Sequence, residues 1–160
     1  VGYGRIGSRV AEILEKGFGM RVLYHDEHRN EIAEKNNAQY ASLHDLLKLS
    51  DVVSLHVPLL STTTHLIGEK ELRMMKRTAY LINTARGAVV DEKALVRALQ
   101  ADTIAGAGID VFEHEPKVTA GLLRAQNAVL TPHIASASRE ARVAMAELAA
   151  KNIIAVLENL

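Results

Sequence analysis

The sequence predicts a doubly wound α/β domain built on a parallel sheet. Three observations carry that prediction. Short apolar runs alternate with amphipathic stretches, which is the pattern of βαβ units. The chain opens on Gly2-Tyr3-Gly4-Arg5-Ile6-Gly7, a G-x-G-x-x-G turn of the kind that joins a strand to a helix. Several apolar runs end at Gly or Pro beside a charged residue, and the carboxyl ends of strands are where open α/β sheets bind ligands.

After the glycine turn, Ile6, Val10, Ile13 and Leu14 fall at helical spacing, predicting a helix over 6–16 stopped by Gly17 and Gly19. Residues 21–25 read as a strand, 30–35 as a weak helix and 39–41 as a brief strand. Ser42 caps a helix over 43–49. A strand over 51–57 ends at Pro58, residues 61–64 form a loop, and 69–75 form a helix. Residues 79–83 make the next strand. Asp91 caps a helix through Gln100, with Ala94, Leu95, Ala98 and Leu99 on its apolar face. A strand rich in small residues spans 104–110, a polar loop 112–126 and a short strand 128–130; residues 138–160 read as a long closing helix. No repeat, low-complexity segment or interdomain linker interrupts the series. Only Val1 precedes the glycine turn, so the expectation is a Rossmann-type domain over 1–160 whose first strand is largely missing, a fragment of a longer protein lacking its substrate-binding domain.

Composition narrows the function. Lys+Arg and Asp+Glu both number 19, giving a formal net charge of zero, so neither nucleic acid nor an anionic membrane is the expected partner. Cysteine is absent, which removes disulfides and thiolate chemistry and is compatible with a reducing cytoplasm. No His/Asp/Glu cluster has convincing metal-ligand spacing.

The turn at 2–7 suits a dinucleotide. Gly2 permits the tight turn, Gly4 lets a pyrophosphate approach the backbone, and Gly7 lets helix and strand pack closely. Asp26 stands 19 positions after Gly7 at a strand end, placed to accept hydrogen bonds from an adenosine ribose. An Asp there repels a 2′-phosphate and favours NAD over NADP; His28 and Arg29 soften that preference. Three further residues suggest chemistry on a keto acid. Arg86 follows a strand in Thr84-Ala85-Arg86-Gly87, and its planar fork suits a carboxylate. His133 follows another strand, after Pro132. Glu115, facing His133, would orient the ring and stabilise its charged form, making a general acid. Each residue alone has a bland reading: a surface arginine, a strand-end histidine, an exposed loop acid. Asp110 either contacts a nicotinamide or caps its turn. His28 and His44 read as solvated, and His65 and His114 as loop residues.

The ordered set GYGRIG, YHD, HVPL, INTARGAVVDE, GAGIDVFEHEP and LTPHIASAS resembles the D-2-hydroxyacid dehydrogenase family over essentially the whole chain. Within it, EHEP followed by GLL, LTPHIASAS and MAELAAKN looks most like the glyoxylate/hydroxypyruvate reductase branch. The resemblance implies that Arg86 binds the substrate carboxylate, that His133 is the acid/base and that Glu115 is its partner. It implies cofactor contacts at Arg5 and Ile6 (pyrophosphate), Asp26 (ribose), and Val57 and Pro58 (adenosine half). Thr63, the backbone of Thr84, Ala85 and Arg86, Asp110 and the segment from His133 to Ser136 complete that set. Formate dehydrogenases, similar in fold, carry Gln in place of Glu115. The resemblance also implies a homodimer through this domain, and it leaves room for an NAD-sensing corepressor scaffold or an inactive fragment.

Overall fold

The computed structural model describes residues 1–35 and 37–158. Helix α1 (Arg5–Phe18) leads to strand β1 (Leu23–Tyr24), α2 (Glu31–Lys35) and β2 (Gln39–Tyr40). Then come α3 (Leu43–Leu49), β3 (Val52–Leu55), α4 (Glu69–Met74), β4 (Tyr80–Asn83) and α5 (Glu92–Gln100). The remainder is β5 (Gly106–Ile109), α6 (Ala120–Leu123), β6 (Ala128–Leu130) and α7 (Arg139–Leu157). All strand pairs are parallel, as βαβ connections require.

The strands form two sheets, β1-β2 and β3-β4-β5-β6. Val1 and Gly2 lie between them, bonded by main chain to both sides. The Val1 amino group donates to Ser54 O and His56 N donates to Val1 O, both at 2.8 Å, while Gly2 N donates to His25 O at 2.8 Å. The expected gap in the sheet is therefore spanned by two residues.

Strand alternation divides each strand between two faces. On one face of the larger sheet Val53, Leu55, Leu81, Asn83, Ala107 and Ile109 are buried, and the apolar ones share a core cluster with residues of α3, α4 and α5. The opposite face leaves Val52, Tyr80 and Val129 exposed. Ser42 and Asp91 cap their helices as expected, accepting hydrogen bonds from Asp45 N and Ala94 N.

The structure corrects several expectations. Helix α1 runs through Gly17 and ends at Gly19, whose φ of 66° supplies the left-handed C-cap. It buries Gly7 and Ala11 and exposes Ile6 and Ile13. The polar loop 112–126 contains α6, which buries Leu122 against the core. Helix α7 ends the series as expected, though none of its residues is buried. The end of that predicted helix, Asn159 and Leu160, lies outside the described residues.

Candidate active site

The glycine turn is built by close approach. Gly2 has φ +83°, and a Cβ there would lie 2.8 Å from the His56 carbonyl and 2.9 Å from Val57 Cγ1. A Cβ on Gly7 would fall 2.1 Å from Gly2 O, so α1 packs backbone to backbone on the turn. Gly4, the N-cap of α1, faces open space with nothing within 4 Å of where its Cβ would be. The turn thus offers unpaired helix N–H groups and an unobstructed approach, which fits a pyrophosphate. Arg5 and Ile6 are both exposed there.

Asp26 is tied into the same turn, accepting from Tyr3 N at 2.7 Å and from Glu27 N at 2.8 Å. Each carboxylate oxygen keeps a further lone pair for a ribose hydroxyl. His28 is exposed; Arg29 sits 5.1 Å from the Tyr40 ring centre and 3.8 Å from Glu34. Val57 is half-buried beside Gly2 and Pro58 is exposed. The Thr63 hydroxyl turns inward: it donates to Pro58 O at 2.6 Å and accepts from Leu60 N at 2.8 Å, closing its loop.

Arg86, Glu115 and His133 stand on loops after β4, β5 and β6. Adjacent strands lie about 4.8 Å apart, so the bases of the outer two loops are roughly 10 Å apart. Arg86 is exposed, with Nη1 donating to Ala85 O at 2.6 Å. Its turn is shaped by Asn83, buried at 1% exposure. Asn83 accepts from Ala85 N at 3.1 Å and donates to Arg86 O at 3.0 Å. Thr84 is exposed and Ala85 half-buried.

His133 Nδ1 donates to Glu115 Oε2 at 2.9 Å, and Glu115 Oε1 accepts from Phe112 N at 2.9 Å. A carboxylate only accepts, so Nδ1 carries the hydrogen and Nε2 is left as the atom that exchanges a proton. The hydrogen bond from His133, then that from Phe112 N, holds the Glu115 carboxyl below the usual carboxylate range.

Asp110 takes the turn-capping role that the sequence left open. It is buried and accepts from Thr131 Oγ1 at 2.5 Å, Ile134 N at 2.8 Å and Ala135 N at 2.9 Å. Burial pushes its carboxyl up, but those donors and His133 outweigh burial and leave it below the ordinary value. His133 N also donates to Asp110 O at 2.8 Å, so Asp110 fixes the backbone on which His133 sits, at φ +54°. Oδ2 retains one lone pair for an outside donor. Ser136 is exposed beyond this anchor.

Besides Asn83, three residues contribute to the site in ways the sequence does not announce. Glu92, 3% exposed, accepts from Glu113 N at 2.6 Å and from the Thr119 hydroxyl, pinning the Glu115 loop to the start of α5. Gly87 packs so tightly that a Cβ would lie 1.9 Å from Phe112 C. His65 is a loop residue as expected, but it is also paired, donating from Nε2 to Glu113 Oε1 at 2.9 Å. Asn83 had a sequence signal, since a polar residue two positions after Leu81 shares its buried face. Glu92 and His65 had none.

Residues 1–135 match the family model described as the D-isomer specific 2-hydroxyacid dehydrogenase, NAD binding domain. The chain is 55% identical to a glyoxylate reductase of Thermococcus litoralis over 156 residues, 97% of this chain and 47% of that protein. It superposes on a glyoxylate reductase from Paecilomyes thermophila with TM-score 0.91 and 43% identity, covering 98% of this chain and 48% of that one. The NADPH-dependent glyoxylate/hydroxypyruvate reductase of Sinorhizobium meliloti, solved with NADP and malonate, matches with TM-score 0.90 and 40% identity over 96% of this chain and 47% of its own. The chain thus spans about half the length of the curated relatives it matches.

Proposed function

Since the chain belongs to the D-isomer specific 2-hydroxyacid dehydrogenase family as its NAD-binding domain, we propose that the whole protein interconverts a small 2-keto acid and its 2-hydroxy acid. Glyoxylate and hydroxypyruvate are the favoured substrates, as in the names of the relatives. The observation that carries the reading is the His133–Glu115 pair at 2.9 Å, at the same sheet edge as Arg86.

The bound nicotinamide would supply the hydride. Every other part of the task falls to the chain's own groups. Arg86 would release Ala85 O and grip the substrate carboxylate with its fork, polarising the neighbouring carbonyl. His133 Nε2 would give its proton to the carbonyl oxygen, and the Glu115 carboxylate would stabilise the charged ring beforehand. In the oxidative direction the same nitrogen would take the proton back. Asp26 favours an unphosphorylated ribose by repulsion, which makes NAD the expected cofactor and NADP the weaker one. The reading includes a cytoplasmic protein that dimerises through this domain.

Residues 1–160 alone are expected to turn over keto acids weakly or not at all, and α7, none of whose residues is buried, supports that. The test is an assay of the whole protein with glyoxylate and hydroxypyruvate, using NADH and then NADPH. Arg86→Ala and His133→Ala should each lower kcat/KM by about 100-fold or more. Unchanged turnover in both variants would refute the mechanism.

A further inference from the structure

Three loops of the catalytic edge converge on Gly87. The first, residues 58–67, is stitched to the Arg86 turn by its backbone: His65 N donates to Ala88 O at 2.8 Å and Ile67 N to Val89 O at 3.1 Å. The second is the Arg86 turn itself. The third, residues 111–116, carries Glu115 and presses on Gly87, where a Cβ would come within 1.9 Å of Phe112 C and 2.4 Å of Glu113 N. One side-chain contact joins the first loop to the third across the second, the 2.9 Å bond from His65 Nε2 to Glu113 Oε1.

We propose that His65 and Glu113 form a positioning pair that clamps the Arg86 turn against the loop carrying Glu115. The proposal rests on the oxidoreductase reading above. Glu113 is suited to be the fixed end of the clamp. Its side chain is only 18% exposed, and its backbone N is held by the buried Glu92. Its Oε2 also receives Glu92 N at 3.4 Å, at the first turn of α5. His65 is suited to be the adjustable end. It is 44% exposed at the side chain and holds φ at +52°, a left-handed conformation uncommon outside glycine.

The clamp bears on chemistry through chain geometry. Arg86 immediately precedes Gly87, and Glu115 lies two residues beyond Glu113. Closing the clamp therefore sets the separation between the group that grips a carboxylate and the group that orients His133. Displacements of about 1 Å in such a separation cost on the order of 100-fold in rate. The arrangement repeats the His133–Glu115 pair with the ring reversed: His133 uses Nδ1 and keeps Nε2 for substrate, whereas His65 uses Nε2.

The experiment compares His65→Ala, His65→Gln and Glu113→Ala in the whole protein. The Gln amide can donate to Glu113 as the His65 Nε2 does, without a titrating charge. His65→Ala should lower kcat/KM for the keto acid by about 10-fold, with NADH affinity, read by fluorescence, changed by no more than about twofold. His65→Gln should recover most of the loss, and the His65→Ala/Glu113→Ala double variant should be no worse than the poorer single variant. A readout independent of turnover is the Glu115 carboxyl titration followed by 13C NMR. It should move up toward the ordinary carboxylate value in His65→Ala and return in His65→Gln. The clamp is refuted if His65→Ala matches wild type in both readouts, or if His65→Gln is as impaired as His65→Ala. If the wild-type protein reduces no keto acid, the functional reading fails, while the Glu115 titration still decides the clamp.

Discussion

Among the described residues, the sheet of β3 to β6 packs against a cluster of 20 buried hydrophobic residues, whereas the β1-β2 side draws on five: Tyr3, Ala11, Tyr24, Ala33 and Ala38. In the larger half, packing fixes the strands, and buried polar groups such as Asn83, Glu92 and Asp110 then shape the loops at their ends. In the smaller half, a stack of rings carries the load. Tyr3 and Tyr24 lie 4.9 Å apart between centroids, and Tyr24 and Tyr40 lie 5.5 Å apart. The two halves meet through the main-chain bonds of Val1 and Gly2. The division places the residues proposed for chemistry on the well-packed base and the Asp26 end of the proposed dinucleotide site on a lightly packed one.

The largest expected effect attacks the smaller half. Tyr24 is 2% exposed, contacts both other rings and accepts from Asn30 N at 2.8 Å. Tyr24→Ala should cost about 3–5 kcal/mol, the usual range for deleting a buried aromatic ring. The loss should be local. Amide exchange should accelerate at residues 22–24 and 39–41 and stay unchanged in β4 and β5. Equal acceleration in β4 and β5 would show one cooperative unit and dissolve the comparison.

A smaller effect is expected from the larger half. In Asp110→Asn an amide nitrogen replaces an acceptor, so one of the three donors from Thr131, Ile134 and Ala135 loses its partner. Leaving such a group unsatisfied costs about 1–3 kcal/mol. The strands should hold while the His133 segment loosens. The measurement is a denaturant melt beside amide exchange at 131–135; a fall in stability with exchange unchanged there would sever Asp110 from the His133 loop.

The same contrast explains what was legible in the sequence. The α5 face at Ala94, Leu95, Ala98 and Leu99 and the capping of α3 and α5 could be read, because periodicity and caps are local signals. So could the glycine turn and the Arg86, Glu115 and His133 positions, each marked by Gly or Pro at a strand end. Helix α1 misled, because Gly17 was read as a stop when only Gly19 takes the left-handed conformation. The bonds of Glu92 to Glu113 N and of His65 to Glu113 span 21 and 48 residues. No local pattern encodes contacts at such separations. Asp110 lay between these cases: its strand-end position was visible, but its three donors arrive from a loop more than 20 residues on.

The smallest effect, and the finest test of the comparison, is the response to acid. His56 lies at the seam, its backbone bonded to Val1 O and its Nε2 2.9 Å from Ser54 Oγ. Burial, and then the Val1 amino group, lower its pKa from 6.5 to about 4. The folded seam therefore favours neutral imidazole, and between those two values the unfolded chain binds more protons than the folded one. The His56 contribution is complete above pH 6.5 and is lost as pH falls through about 4. Asp110 and Glu115 have carboxyls held below their reference values of 3.8 and 4.5, so their contributions are lost only on further acidification. Acid should thus loosen the seam before it loosens the loops proposed to carry the chemistry. Amide exchange at Gly2 and His56, corrected for its intrinsic pH dependence, should quicken between pH 7 and pH 5 while that at Ile134 and Ala135 does not. His56→Gln, which keeps a partner for Ser54 and cannot titrate, should shrink the difference; the remainder belongs to the Val1 amino group, which burial lowers from 8.0 to about 6. If His56→Gln left the difference undiminished, the pH response would belong to the other group, and His56 would be only a packing residue.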